Sequence, residues 1–584
     1  MRSYSVSSCF FKVFLYLFDF CFLFIQKFTT FVLNLNKPYM KKNHTLILIL
    51  TILLAFITTN GLFSLSSIKD FGKEAFSTKR VIEDLKVIAK EPHSVAHPEE
   101  KDKVLNYLKA QLESLGGETQ IYVYPNIKAR QFTFDAKNVL ATFPPSKASE
   151  DTTYLMMVAH YDSCQPWKKK GKTYVSMGAS DDGYGLGVIL ECIRQALKYR
   201  EDWHQGIKVL FTDGEEVDLQ GMKAAYKYNK EIFDHVGLII NAESRGPFGP
   251  TLLFETSPGN ERLIKLYAEY AQCPFAYSLT NLVYQQMPNG TDFNIVRDSI
   301  PGFNFSPVAD INHYHTDLDN IQNISVKTIR NYGEQITPIV QAYLTNKDYA
   351  DKEYFLAEED AIYFSIPLLG VFHFSKNHYW ILNIGVLFLF LHLILRDRSF
   401  RWKDTFKQSG ILLGISLVSI VAGETIAWLS ATLCGIRFRM FGVISGIPFD
   451  NAAIIFSMLL LVMAMIRYYR RLHSNLQSLY SSLFILMTLS FIALIAAGEN
   501  MMFFIPYCIG ILTLTLWKAT QSRWFPLLGM FLILLHTFSF VYILAMALTI
   551  GALGLSLLIA FCNLIVVIPL AKGYLTDKAS GQTP

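Results

Sequence analysis

The chain has 584 residues, of which 51% are hydrophobic, 14% aromatic and 17% charged. This composition is too apolar for a soluble protein of this length. The formal net charge is only +5, which argues against a role in nucleic-acid binding. Charged residues concentrate between about Lys69 and Asp360, and the last third of the chain is almost entirely apolar.

The first apolar segment long enough to cross a bilayer spans residues 45–63 and follows two lysines. We interpret residues 40–66 as an N-terminal transmembrane anchor. A signal peptide has the same order of basic and apolar residues, but no clear small-x-small cleavage site is present. Residues 1–39 are interpreted as an extra extension, arising from a start codon upstream of Met40; a further membrane segment is the alternative.

Residues 77–348 are predicted to form a soluble domain. Apolar segments typical of buried strands alternate with amphipathic segments typical of helices. The strands are predicted at 119–126, 154–163, 206–216 and 235–244, and the helices at 97–117, 183–200 and 221–228. This alternation predicts an α/β fold with a mostly parallel sheet flanked by helices. Ligands of such sheets bind beyond the carboxyl ends of the strands.

After a predicted linker at residues 349–378, residues 379–572 are predicted to form a polytopic membrane domain with about seven helices. We place the spans near 379–395, 408–433, 450–466, 479–497, 500–517, 524–543 and 547–571. Lysine and arginine cluster in every second loop, as at Arg396, Arg467 and Lys518. The positive-inside rule therefore predicts that these loops are cytoplasmic and that the soluble domain lies on the other side.

Polar side chains gather at the predicted strand ends. They are His160, Asp162, Asp181, Asp182, Glu215, Glu216, Glu243, His313 and His315. Each has an ordinary structural explanation, such as a turn, a helix cap or a solvated helix start. Their combination in one α/β domain instead favours a metal site, because carboxylates and imidazoles are zinc ligands and paired zinc ions need a bridging carboxylate.

The stretches AHYDS, GASDDGYG, FTDGEE, NAESRG and YHTDLDN resemble the co-catalytic zinc peptidases of family M28. The resemblance covers residues 80–345 and implies a zinc exopeptidase-like fold. The stretches ESRGPFGPTLLFETSPGN and NGTDF are similar to a membrane-bound branch that includes endoplasmic reticulum metallopeptidase, vacuolar membrane protease and bacterial relatives. That branch also combines an N-terminal anchor with a multi-span C-terminal region.

The resemblance implies two Zn²⁺ ions and a role for each motif residue. The implied metal ligands are His160 and Glu243 for one ion, Glu216 and His315 for the other, and Asp181 as the bridge. Asp162 is implied to orient His160. Glu215 is implied to act as the general base on water and then as the acid for the leaving amine. Tyr314 is expected to donate a hydrogen bond to the oxyanion.

The resulting hypothesis is a membrane-anchored aminopeptidase that acts on peptide or protein N-termini, with its catalytic domain on the non-cytoplasmic side. A bacterial inner membrane with a periplasmic domain is the first expectation, and an endoplasmic reticulum or vacuolar membrane is the alternative. Three other functions stay open: a glutaminyl cyclase, a non-catalytic binding domain, and transport through spans that contain Glu424. Substrate preference and oligomeric state are not predicted.

Overall fold

A seven-stranded mixed sheet occupies the centre of the soluble domain in this computed structural model. Its strands are β1 (Glu118–Ala129), β2 (Phe132–Phe143), β3 (Tyr154–His160), β6 (Gly206–Thr212), β7 (Val236–Ala242), β8 (Phe248–Thr256) and β9 (Gly302–Ala309). The spatial order is β1-β2-β6-β3-β7-β9-β8. The described residues are 40–65, 76–147, 152–169, 171–287, 289–440, 444, 446–447, 449–472 and 474–576.

The four central strands run parallel to one another, and the two edges are antiparallel. β3 pairs in parallel with β6 and β7, and β7 pairs in parallel with β9. All seven residues of β7 are buried, as expected for a strand covered on both faces. The prediction of a mostly parallel sheet flanked by helices is confirmed.

Helices cover both faces of this sheet. Those of the soluble domain are α2 (Thr78–Ile88), α3 (Pro98–Ser114), α4 (Gly183–Ala196), α5 (Gln220–Tyr228), α6 (Glu261–Tyr270), α7 (Ser278–Tyr284), α8 (Phe293–Val296) and α9 (Val326–Thr345). One apolar cluster joins the sheet to α2, α3, α4, α6 and α9, and a second joins the opposite face to α5 and α8. A small hairpin, β4 (Trp167–Lys169) with β5 (Lys172–Tyr174), lies outside the main sheet.

The described residues of the C-terminal part contain seven helices long and apolar enough to cross a membrane, as predicted. They are α10 (Lys376–Arg396), α11 (Trp402–Leu433), α12 (Asp450–Arg470), α13 (Asn475–Ala497), α14 (Met501–Thr520), α15 (Trp524–Leu548) and α16 (Leu553–Thr576). The N-terminal helix α1 (Met40–Leu65) packs against α15. The predicted extension at residues 1–39 lies outside the described residues.

The soluble domain rests directly on the membrane helices. Residues 349–378, predicted as a linker, include a hairpin of β10 (Ala361–Ile366) and β11 (Gly370–Ser375). An apolar cluster brings Leu252 of β8 and Val308 of β9 together with Ile543 of α15. A hydrogen bond of 2.8 Å also joins the Tyr277 hydroxyl to Ser539 Oγ. The carboxyl edge of the sheet therefore lies close to the membrane domain.

Candidate metal centre

The five predicted metal ligands meet at the carboxyl edge of the parallel strands. His160 is the last residue of β3, and Glu216 and Glu243 follow β6 and β7 closely. Asp181 precedes α4, while His315 lies in the loop after β9. The first residues after parallel strands share one edge of a sheet, which explains how segments distant in sequence converge here.

Asp181 lies between the two histidines. Its Oδ1 is 3.3 Å from His160 Nε2, and its Oδ2 is 3.1 Å from His315 Nε2. Glu243 Oε2 is 3.7 Å from His160 Nε2, and Glu216 Oε1 is 2.9 Å from His315 Nε2. The five side chains thus form two groups that share Asp181, which is the grouping that the sequence motifs imply.

The donor atoms of the two groups suit metal binding. Asp181 Oδ2, Glu216 Oε1 and His315 Nε2 are buried, and among the described residues none of these atoms has a partner in hydrogen-bonding geometry. Two atoms that bind the same tetrahedral zinc ion, each at 2.0–2.2 Å from it, are separated from each other by roughly 3.4 Å. The observed separations of 2.9–3.7 Å are close to that value.

Burial acts against the charged forms of the two glutamates. It raises the pKa of Glu216 to about 7 and the pKa of Glu243 to about 8. Desolvation also opposes ionisation of Asp181, but its contacts with the two histidines outweigh this effect and lower the pKa of Asp181. The protein groups alone therefore do not keep both glutamates ionised at neutral pH, whereas a divalent cation would favour the ionised forms.

Two further residues join these groups. Potential ligand atoms of His160, Asp182 and Glu243 lie within 4.8 Å of one another, as do those of Cys164, Glu216 and His315. Asp182 also caps α4 by accepting a hydrogen bond of 3.1 Å from the Gly185 amide. No spacing in the sequence pointed to Cys164 as a ligand.

Asp162 organises the turn that carries both glutamates. Its carboxylate accepts hydrogen bonds from the backbone amides of Glu215 and Glu216, at 3.0 and 3.2 Å. His160 Nδ1 is 2.9 Å from the backbone oxygen of Asp162 and 3.6 Å from its side-chain Oδ1. The backbone of Asp162 therefore makes the short contact to His160, and the side chain positions the glutamate turn.

Glu215 and Tyr314 lie beside the two ligand groups. Both line the same cavity as Asp181 and Glu243. Burial raises the pKa of Glu215 well above its usual range. The Tyr314 ring stacks on His315, with 3.6 Å between ring centroids. The other histidine of this loop, His313, has its Nδ1 atom 3.3 Å from Oδ2 of Asp310.

Two supporting interactions have no local signal in the sequence. Asp319 accepts hydrogen bonds from the Ser180 amide and hydroxyl, both at 2.7 Å, and from Ser176 Oγ at 2.9 Å. These bonds fix the loop that carries Asp181. The second is made by buried Lys101, which donates hydrogen bonds of 2.8 Å to both carboxylate oxygens of Asp213. Asp213 directly precedes the glutamate turn.

Comparison with known proteins places this site in context. The model of Peptidase family M28 matches residues 138–340. Endoplasmic reticulum metallopeptidase 1 of Mus musculus is 28% identical over 286 residues, which cover 47% of this chain and 29% of that protein. The vacuolar membrane protease of Candida dubliniensis is 26% identical over 262 residues, covering 42% and 26%. The matched region thus spans less than a third of these longer relatives.

Two solved structures also align with part of this chain. A Zn-dependent exopeptidase from Parabacteroides distasonis has a TM-score of 0.37 and 16% identity, covering 46% of this chain and 98% of its own. Porphyromonas gingivalis glutaminyl cyclase has a TM-score of 0.38 and 21% identity, covering 46% and 99%.

Proposed function

Since this integral membrane protein carries a peptidase family M28 domain, we propose that it is a zinc-dependent aminopeptidase that removes residues from the N-termini of peptides. One observation supports the proposal above the others. Asp181 lies between His160 and His315, at 3.3 and 3.1 Å, and Glu215 lines the cavity beside it. A carboxylate placed between two histidines, beside a half-buried glutamate, suits metal-assisted hydrolysis.

We infer that two zinc ions bind at this edge of the sheet. His160 and Glu243 would hold one ion, Glu216 and His315 the other, and Asp181 both. When bound, the ions would polarise the scissile carbonyl and lower the pKa of water. The backbone contact from Asp162 to His160 Nδ1 leaves Nε2 directed towards Asp181, which is the orientation that a ligating imidazole needs.

Glu215 would move the protons of the reaction. The carboxylate would take a proton from the attacking water and return one to the leaving amine, and its raised pKa makes it a stronger base. The Asp162 carboxylate holds the Glu215 amide at 3.0 Å and so limits the movement of this base. The Tyr314 hydroxyl would donate a hydrogen bond to the oxyanion, with its ring held by the stack on His315.

The basic loops between the membrane helices support a catalytic domain on the non-cytoplasmic side. We propose a bacterial inner membrane with a periplasmic site, and an endoplasmic reticulum or vacuolar lumen as the alternative. The proposed partners are then the lipid bilayer and peptide N-termini. The small net charge of +5 argues against a nucleic-acid partner.

The test combines metal analysis with hydrolysis of a panel of aminoacyl reporter substrates. It compares wild type, Glu215→Gln and Glu83→Gln, the last being a matched change at an exposed residue. We expect equal zinc content in all three proteins and a loss of hydrolysis of about 10²–10⁴-fold in Glu215→Gln alone. Bound zinc without hydrolysis by wild type would reject the peptidase. Conversion of N-terminal glutamine to pyroglutamate would then identify a cyclase.

A further inference from the structure

A single cavity joins the metal centre to an apolar chamber. Asp181, Glu215 and Glu243 line the cavity on the catalytic side. Leu252 and Phe254 of β8 are among the apolar side chains that line the remainder. A substrate whose scissile bond lies at the carboxylates would therefore have an apolar space within reach.

The membrane domain supplies one wall of this chamber. Five residues of α15 line it: Phe540, Ile543, Leu544, Ala547 and Leu548. Their spacing of three and four residues places them on one face of the helix. This face of a candidate membrane span therefore borders the catalytic cavity.

The wall has a fixed position relative to the catalytic domain. The Tyr277 hydroxyl bonds to Ser539 Oγ at 2.8 Å, and the Tyr277 ring lies 4.8 Å from the Phe540 ring between centroids. Leu252 and Ile543 belong to one buried cluster. These contacts hold α15 against the same sheet edge that carries the ligands.

Ala547 is the smallest of the five side chains on this wall. It is half-buried, whereas Phe540, Ile543, Leu544 and Leu548 are buried. A small residue among large ones leaves space that a substrate side chain can occupy. A large aromatic side chain at residue 547 would occupy that space.

We propose that α15 completes the substrate pocket and selects peptides whose N-terminal residue carries a large apolar side chain. The inference rests on the proposed function, from which it takes the substrate to be a peptide with a free N-terminus. An apolar side chain would lose its contact with water there, whereas a charged side chain would lose hydration without an opposite charge on α15. Alanine would leave most of the chamber unfilled.

The experiment measures binding separately from hydrolysis. The full-length protein in detergent carries Glu215→Gln, and the probes are labelled peptides that differ only in an N-terminal leucine, alanine or glutamate. We expect the leucine peptide to bind at least about 10-fold more tightly than the alanine peptide. Ala547→Phe should abolish this preference, and Leu544→Ala should weaken it. The matched control Ala496→Phe changes an exposed alanine on α13 and should preserve it.

Equal binding of the three peptides, or a leucine preference that survives Ala547→Phe and Leu544→Ala, would overturn the proposal. Tighter binding of the glutamate peptide would do so too, because it would assign selectivity to Arg245, which also lines the cavity. Wild-type hydrolysis is measured in parallel. Leucine-selective binding without hydrolysis would reject the proposed peptidase activity and keep α15 as the selective wall.

Discussion

The buried ion pair beneath the glutamate turn offers a direct test of how the site is held. Lys101 Nζ donates to both oxygens of Asp213 at 2.8 Å, and these side chains are only 4% and 0% exposed. Removing one partner of a buried pair costs about 3–5 kcal/mol, because the other charge remains buried. We therefore expect Lys101→Met to lower the free energy of unfolding by about that amount at neutral to alkaline pH.

The loss should also depend on pH. Burial raises the pKa of Asp213 to about 6, although Lys101 opposes the rise. Without Lys101 this pKa rises further, so the native state binds the proton more tightly than the unfolded chain does. Stability from such a group is present at low pH and is lost as pH rises through the folded-state pKa. The defect of Lys101→Met should therefore be smaller at about pH 5 than at about pH 8.

Equilibrium unfolding in detergent would measure both effects. Lys103→Met is the matched control on α3, because the Lys103 side chain is 67% exposed, and it should change stability by no more than about 0.5 kcal/mol. The double variant Lys101→Met/Asp213→Asn should recover part of the loss, since no buried charge remains. Equal stability of Lys101→Met and Lys103→Met would refute the reasoning.

Three other predictions concern the metal centre. Asp181→Asn should lower the zinc content measured by mass spectrometry by more than Glu216→Gln does, because it removes the proposed shared ligand; an unchanged content would contradict the proposed bridge. Tyr314→Phe should keep the zinc content and lower kcat about 10²–10³-fold, and an unchanged kcat would remove the hydroxyl from the mechanism. Wild-type protein stripped of metal by a chelator should lose thermal stability as pH rises from about 5 to about 8. The reason is that the raised pKa values of Glu216 and Glu243 make the native state bind protons more tightly than the unfolded chain does. A Tm that rises with pH would contradict this.

Three of the four strands that the sequence predicts, β3, β6 and β7, are buried along most of their length, whereas the fourth, β1, is mostly exposed. β3 and β7 are short apolar runs that end in polar residues, so pattern and position agree. β9 was not predicted, because GFNFSPVA contains polar residues and a proline, which is uncommon inside sheets. The structure satisfies one of these polar side chains internally: the Asn304 amide donates to Glu255 at 3.0 Å and to Thr291 at 2.8 Å.

The metal ligands could be proposed from the sequence because each lies directly after a strand or within a family motif. The roles of Asp319 and Lys101 could not, because each acts on a segment more than about 100 residues away and periodicity describes only local structure. For the same reason, the sequence does not predict that Ala547 and its neighbours on α15 line the cavity. A helix that contacts lipid and a helix that lines a cavity have the same apolar composition, and only the packing distinguishes them.

Glu215 and Glu216 can lie side by side after a buried strand because the turn places their side chains in different surroundings. Asp162 binds both backbone amides, so the two residues leave the strand in a fixed conformation. Glu216 then reaches His315 at 2.9 Å, while Glu215 lines the cavity. Burial still raises the pKa of each, and only Glu216 has an imidazole in direct contact. One carboxylate is thereby suited to bind a cation and the other to exchange a proton, and it is the turn, more than the residue type, that distinguishes the two proposed roles.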